Sequence, residues 1–380
     1  MRFQTLVFSL VFLVFFTCKN EKTTSSSTSS SLGEIIEIKY AEGFSISDYG
    51  TYKILEVNNP WPEANQVFRY ALVNDKNNFS SEEDFDAVVQ VPIKNLIVTS
   101  TTHIPSLEML NEQNKLIGFP NLDFISSEKT RNRINANQIT EIGNNESINT
   151  ENVIALQPDV MIGFAVSGNN KTYTNLERAG IPVVYNGDWT EQSPLGKAEW
   201  IKFFGAFFDK TDEATKIFKD IENNYLDIKT MASKATKKPT VLSGAMWKDI
   251  WYLPQGNSWA AAFINDANAE YLWKTSEGTG SIALNIETVI EKAHHAEFWI
   301  GPGQFSSYDQ MIEASKAYTQ FEAFKSKQVY SFSTLKGETG GVIYYELAPN
   351  RPDLVLKDLV KILHPNLLPD YELYFFRALE

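Results

Sequence analysis

Two glutamates stand in the same six-residue setting, "NTENVI" at 149–154 and "NIETVI" at 285–290, a pattern Asn-x-Glu-x-Val-Ile that occurs twice in one chain. Each copy leads into apolar residues, "QPDVMIGF" and "AHHAEFWIG", so each reads as a helix start ahead of a buried strand. Asparagine is a good N-cap, which places Glu151 and Glu287 in a first helical turn. There a carboxylate gains roughly 0.3–1 kcal/mol from the helix dipole even without a partner. The repetition in matching surroundings points to a duplicated structural unit.

The other chemistry-bearing residues are few. Four histidines are present, His103, His294, His295 and His364. Only His103, just after the strand-like "NLIVTS", is placed for a crevice at strand ends, so a three-histidine metal site cannot be assembled. His103 is read as capping the helix it precedes or as solvent-exposed, with axial ligation of a haem iron or cobalt as the alternative. Arg131 and Arg133 in "EKTRNR" form the one close arginine pair. They suit either a bidentate carboxylate contact at a cleft rim or a mixed-charge helix surface, the second being preferred. No Gly-x-Ser-x-Gly elbow, Walker A loop or Gly-x-Gly-x-x-Gly fingerprint occurs. With no nucleophile, base and acid that can be placed together, a lipid-anchored hydrolase is the weaker alternative, and no catalytic residue, cofactor or bound metal is expected.

The chain opens with Met1-Arg2, an apolar run from Leu6 to Phe16, and then Cys18, the sole cysteine. The run is too short to span a bilayer and reads as an export signal over 1–17. "VFFTC" resembles a lipobox despite Thr17, which makes Cys18 a lipidation site. The Ser/Thr-rich stretch that follows, 18–33, reads as a flexible tether. A net charge of −13 with no basic cluster excludes nucleic acid as a partner.

What must position these residues is legible as lobe, long helix, lobe. Short alternating segments over 34–90 form a β-rich region. From Asn95, apolar strands ("NLIVTS", "KLIGF", "DVMIGFA", "IPVVYNG") alternate with helices, the mark of a parallel sheet covered on both faces. Residues 199–238 are largely helical, with Thr211 as an expected N-cap and an apolar stripe Ala214, Ile217, Phe218, Ile221, Tyr225, Ile228. Strand–helix alternation resumes after Pro239 and ends in "PDLVLKDLVKIL". The expected division is an N-terminal lobe over 34–198, a connecting helical region over 199–238 and a C-terminal lobe over 239–380.

These blocks resemble the substrate-binding proteins of ABC importers for ferric siderophores, haem and cobalamin. The resemblance rests on "INTENVIALQPDVMIGF", "LERAGIPVV", "GNSWAAAFINDANAEYLW" (with Asn268 where glycine is common), "ALNIETVIEKAHHAEFWI" and "NRPDLVLKDLVKILHP". It implies an α/β fold of two doubly wound, Rossmann-like lobes joined by one long rigid helix, with ligand in the cleft between them. It implies further that Glu151 and Glu287 dock on arginines of an inner-membrane permease, a two-point electrostatic contact. The protein would be a periplasmic, lipid-anchored monomer, not an enzyme, that captures a ferric siderophore, with cobalamin or haem as alternatives. Strand ends then supply the candidate ligand residues Thr102, His103, Ala165, Trp189, Trp247, Trp251, Phe305 and Tyr344, with Arg131 and Arg133 as candidate anion contacts.

Overall fold

The computed structural model describes residues 33–168 and 170–380. The export signal, Cys18 and the tether up to residue 32 lie outside the described residues.

The chain from Gly33 begins with a five-stranded sheet, Glu34–Ile36, Phe44–Asp48, Tyr52–Asn58, Val67–Val73 and Ala87–Gln90, paired in chain order. Its inward residues Phe44, Ile46, Leu55, Val57 and Tyr70 alternate along the strands and are buried, as period-2 patterning requires. Three carboxylates bind this sheet to later helices. Glu199 accepts from the main-chain N–H groups of Lys39, Tyr40 and Ala41. Glu191 accepts from those of Glu42 and Gly43. Glu222 accepts from Lys39 Nζ and the Tyr40 hydroxyl.

The first lobe is built on a parallel sheet in the order Val183–Tyr185, Val160–Gly163, Leu96–Val98, Leu116–Phe119, Thr140–Glu141. The second has the order Glu270–Tyr271, Thr240–Ser243, Phe298–Ile300, Val329–Ser331, Arg377–Ala378, the last strand antiparallel. In each, the earliest strand lies inside the sheet with later strands on both sides. This is the doubly wound arrangement, and it opens a crevice at the carboxyl ends where the strand order reverses. The 22-residue helix Thr211–Ala232 joins the lobes, about 33 Å at 1.5 Å per residue. Ala214, Phe218, Ile221, Tyr225 and Ile228 are its buried stripe, with Ile217 half-buried. Thr211 is not its cap: the helix begins at Thr211, Lys210 holds the cap position, and the buried Thr211 hydroxyl has no partner.

A three-stranded antiparallel sheet, Ala245–Trp247, Ile250–Pro254 and Ser281–Leu284, stands beside the second lobe. Gly244 starts it with φ of 77° and no room for a side chain, since a Cβ there would come within 2.0 Å of the Tyr252 carbonyl oxygen. Asn268 adopts φ of 56°, the left-handed conformation asparagine shares with glycine, so its place after the Trp259–Asp266 helix is compatible with that backbone.

Candidate functional site

The two repeated motifs fold alike. Asn149 Oδ1 accepts from Asn152 N–H at 3.0 Å and caps Thr150–Leu156, while Asn285 Oδ1 accepts from Thr288 N–H at 2.8 Å and caps Ile286–Ala293. Each helix buries its Val, Val153 and Val289, and leaves its first-turn glutamate, Glu151 or Glu287, in solvent.

At the strand ends the molecule is hollow. One cavity of about 270 Å³ lies between the lobes, with Thr99, Ser100, Thr101 and Phe164 of the first facing Val342, Tyr345 and Glu346 of the second. Tyr345 also lines a larger cavity of about 920 Å³. That cavity is walled by Trp247, Tyr252, Trp259, Phe305, Phe332 and Tyr344. Trp259 is shared in turn with a third cavity of about 780 Å³, bounded by Trp61, Trp189 and the Asn58–Asn65 loop of the N-terminal sheet. The three are neighbours, joined through the shared walls Tyr345 and Trp259.

The walls are aromatic and preformed. Tyr344 stacks on Phe332 with ring centroids 4.2 Å apart, and Trp259 lies 6.0 Å from Tyr344. Burial pushes the Tyr344 phenol well above its ordinary value, so it stays neutral. Gln304 Nε2 donates to the Tyr345 hydroxyl at 3.0 Å and orients that ring. Trp247, at the tip of the Ala245–Pro254 hairpin, is 69% exposed and stands free at the mouth.

One segment of the second lobe crosses the cleft. The buried Glu346 carboxylate accepts from Ser126 N–H at 2.7 Å and Ser127 N–H at 2.9 Å, and Asn350 receives the Ser106 hydroxyl at 2.7 Å while donating to the Thr102 carbonyl at 2.8 Å. Gly337 lies so close to Ser126 that an added Cβ would sit 2.7 Å from its Cα. Burial, with Glu108 nearby, raises the Glu346 carboxyl to about 7.

Several expected contacts are corrected. His103 is neither exposed nor a cap: it is fully buried against Phe204 at 5.3 Å, Thr102 occupies the cap position, and burial pushes the imidazole down, so it is neutral. Trp251 is core, because alternation along Ile250–Pro254 turns it inward onto Trp299 at 5.1 Å, its Nε1 donating to the Ser243 carbonyl. Thr102 spends its hydroxyl on Asp188 Oδ2 at 2.6 Å, and Ala165 is buried beside Phe164, which does line the cleft. The cleft-lining residues on these two strand ends are Thr99–Thr101 and Phe164, each just before the expected ones. Arg131 is buried, donates to the Leu122 carbonyl and pairs with Glu338 of the second lobe at 3.9 Å, and Arg133 donates to the carbonyls of Gln113 and Asn114, so both guanidinium groups are already engaged within the protein.

Trp189, Trp247, Phe305 and Tyr344 do lie on cavity walls. Sequence reasoning missed Trp61 and Trp259. The only signals were a tryptophan in the turn "NNPWP" and one opening the "WAAAF" helix. Among the described residues no group of three His, Cys, Asp or Glu side chains could hold a metal ion, and no helix is long and apolar enough to cross a membrane.

Two α/β lobes on one connecting helix with an aromatic cleft define a two-lobed binding protein. A family model described as periplasmic binding protein matches residues 96–334, more than half of the chain, and the chain belongs to that family. An uncharacterized lipoprotein of Methanocaldococcus jannaschii is 28% identical over 298 residues, 76% of this chain and 69% of the relative. Among solved structures, a possible iron-binding (periplasmic solute-binding) protein from Staphylococcus epidermidis shares the fold with a TM-score of 0.57 at 18% identity, covering 72% of this chain and 99% of that one. A periplasmic heme-binding protein from Pseudomonas aeruginosa has a TM-score of 0.54 at 16% identity, covering 72% and 93%.

Proposed function

We propose that this chain is the substrate-capturing lipoprotein of an ABC importer: it holds a metal chelate in the interlobe cleft and delivers it to a membrane permease. The observation that carries this reading is the aromatic cavity of about 920 Å³ at the strand ends, which opens onto both neighbouring cavities. Pockets for drug-sized or larger apolar ligands fall in this range and are lined in this way. A ferric siderophore is the leading ligand, with cobalamin or haem as alternatives. The iron-binding and heme-binding proteins that share the fold support that class.

Glu151 and Glu287 are the proposed docking points, one capped and exposed carboxylate per lobe, each suited to an arginine fork. Acylation of Cys18 and the Ser/Thr-rich tether would hold the body near the permease. The test is intrinsic tryptophan fluorescence of the protein titrated with ferric siderophores, cobalamin and haemin. Saturable quenching by one of them supports the reading, and silence from a folded protein toward all of them would sink it.

A further inference from the structure

The cleft is unevenly charged. Five carboxylates line its three cavities: Glu346 and Glu191 are taken up by main-chain N–H donors, while Glu42 and Glu63 beside the N-terminal sheet and Glu313 at the large cavity are exposed. Against them stands one cation, Lys197. Its Nζ is buried and already donates to the carbonyls of Asp188 at 3.0 Å and Trp189 at 3.1 Å, 5.5 Å from the Trp259 ring. No arginine lines any of the three, and Arg131 and Arg133 are engaged with main-chain carbonyls and, for Arg131, with Glu338.

The remaining polar groups are neutral amides and hydroxyls that both donate and accept. Asn58 ends the third strand of the N-terminal sheet, Asn59 and Asn65 lie on the loop that follows it, and all three line the third cavity with Gln192 and Thr190. Trp61 and Trp189 flank them, with Trp189 fixed by donation from Nε1 to the Pro60 carbonyl at 3.2 Å. Tryptophan faces attract cations and stack on apolar rings, and free carboxylates in a crevice repel anions.

Building on the chelate-binding reading above, we infer that the ligand is neutral or cationic, with a polar fringe of amide or hydroxyl groups. The N-terminal sheet supplies the wall that receives that fringe. A chelate bearing several carboxylates or an uncompensated catecholate charge does not suit this cleft. The selection is a property of this chain's own side chains, since it rests on the absence of lining arginines and on a loop outside the two lobes.

The experiment measures the full chain, at low ionic strength, against four probes. Ferrioxamine B is a cationic ferric hydroxamate and cyanocobalamin a neutral, amide-fringed corrinoid. Ferric enterobactin carries three negative charges and haemin two propionates. We expect one of the first two to bind, with both anionic probes at least about tenfold weaker, a gap that shrinks in Glu42→Gln/Glu63→Gln as the wall loses charge. Both side chains are exposed, so the variant keeps its fold. Tighter binding of ferric enterobactin or haemin overturns the inference while the importer reading stands. A gap of the expected sign that the double variant leaves untouched overturns the role of the N-terminal wall. No binding of any probe by folded protein overturns the inference together with the reading beneath it.

Discussion

The Glu346 carboxylate and the Ser126 main-chain N–H meet at 2.7 Å across the cleft, a hydrogen bond between residues 220 positions apart that ties the second lobe to the first. With the neighbouring contact to Ser127 and the two bonds of Asn350, it fixes the separation of the lobes partly through one buried acid.

That acid sets a pH dependence. Its carboxyl is raised from the ordinary 4.5 to about 7, because burial disfavours the charge. A raised acid binds a proton in the folded state that the unfolded chain has released, so its contribution to stability is full below about 4.5 and lost as pH rises through about 7. Thermal unfolding of wild type and Glu346→Gln from pH 4.5 to 8 should show the wild type losing ground to the variant with rising pH. A difference that stays constant across that range would count against the assignment. Glu346→Ala, which orphans two buried N–H groups, should cost about 1–3 kcal/mol at the acid end of that range and less as pH rises.

Docking and ligand capture should separate in one double variant. Glu151→Lys with Glu287→Lys should abolish uptake in cells while leaving ligand affinity intact and lowering stability by about 1–2 kcal/mol, the helix-dipole stabilisation lost at two first turns. Uptake that persists in the double variant would remove both glutamates from the permease contact.

Two tryptophans on one hairpin should behave oppositely. Trp247→Ala, at an exposed tip, should weaken ligand binding with little change in melting temperature. Trp251→Ala, enclosed by Trp299, Tyr318 and Phe321, should destabilise the protein by about 3–5 kcal/mol. Calorimetry and fluorescence titration on the same two proteins check this; equal stability losses would mean the hairpin is wrongly oriented.

The join between the N-terminal sheet and the connecting helix should fail in acid. Burial pushes Glu222 up, but hydrogen bonds from Lys219, Lys39 and Tyr40 outweigh it and bring the carboxyl down to about 2. A depressed acid contributes stability above its unfolded value near 4.5 and loses it as pH falls through 2. Limited proteolysis should therefore cut within residues 33–60 increasingly below pH 4, and Glu222→Gln should be cut similarly already at pH 7.

Much of the architecture was legible because it rests on local signals. Asn149 and Asn285 announced their helices through capping chemistry, and strands such as Val160–Gly163 announced burial by being apolar throughout. The cleft was harder to read. "Aromatic at a strand end" describes Trp247 and Trp251 equally, and only the register of the hairpin sends one outward and the other into the core. His103 failed for a related reason. A polar residue after a strand looks exposed, but the helix carrying Phe204 covers it. The Glu346–Ser126 bond and the carboxylate anchors of the N-terminal sheet left no trace in the sequence, since they join segments far apart in the chain.

Those anchors bear on the order of events when the protein acquires its shape. The main-chain donors of residues 39–43 find their acceptors in Glu191 and Glu199, 148 to 160 positions later, and Lys39 and Tyr40 reach further, to Glu222. Closing loops of that length is slow compared with forming a hairpin or helix turn. The segment 39–43 is therefore among the last parts of the described chain to be secured, and pulse-labelled exchange should find its amides protected only after those of the connecting helix.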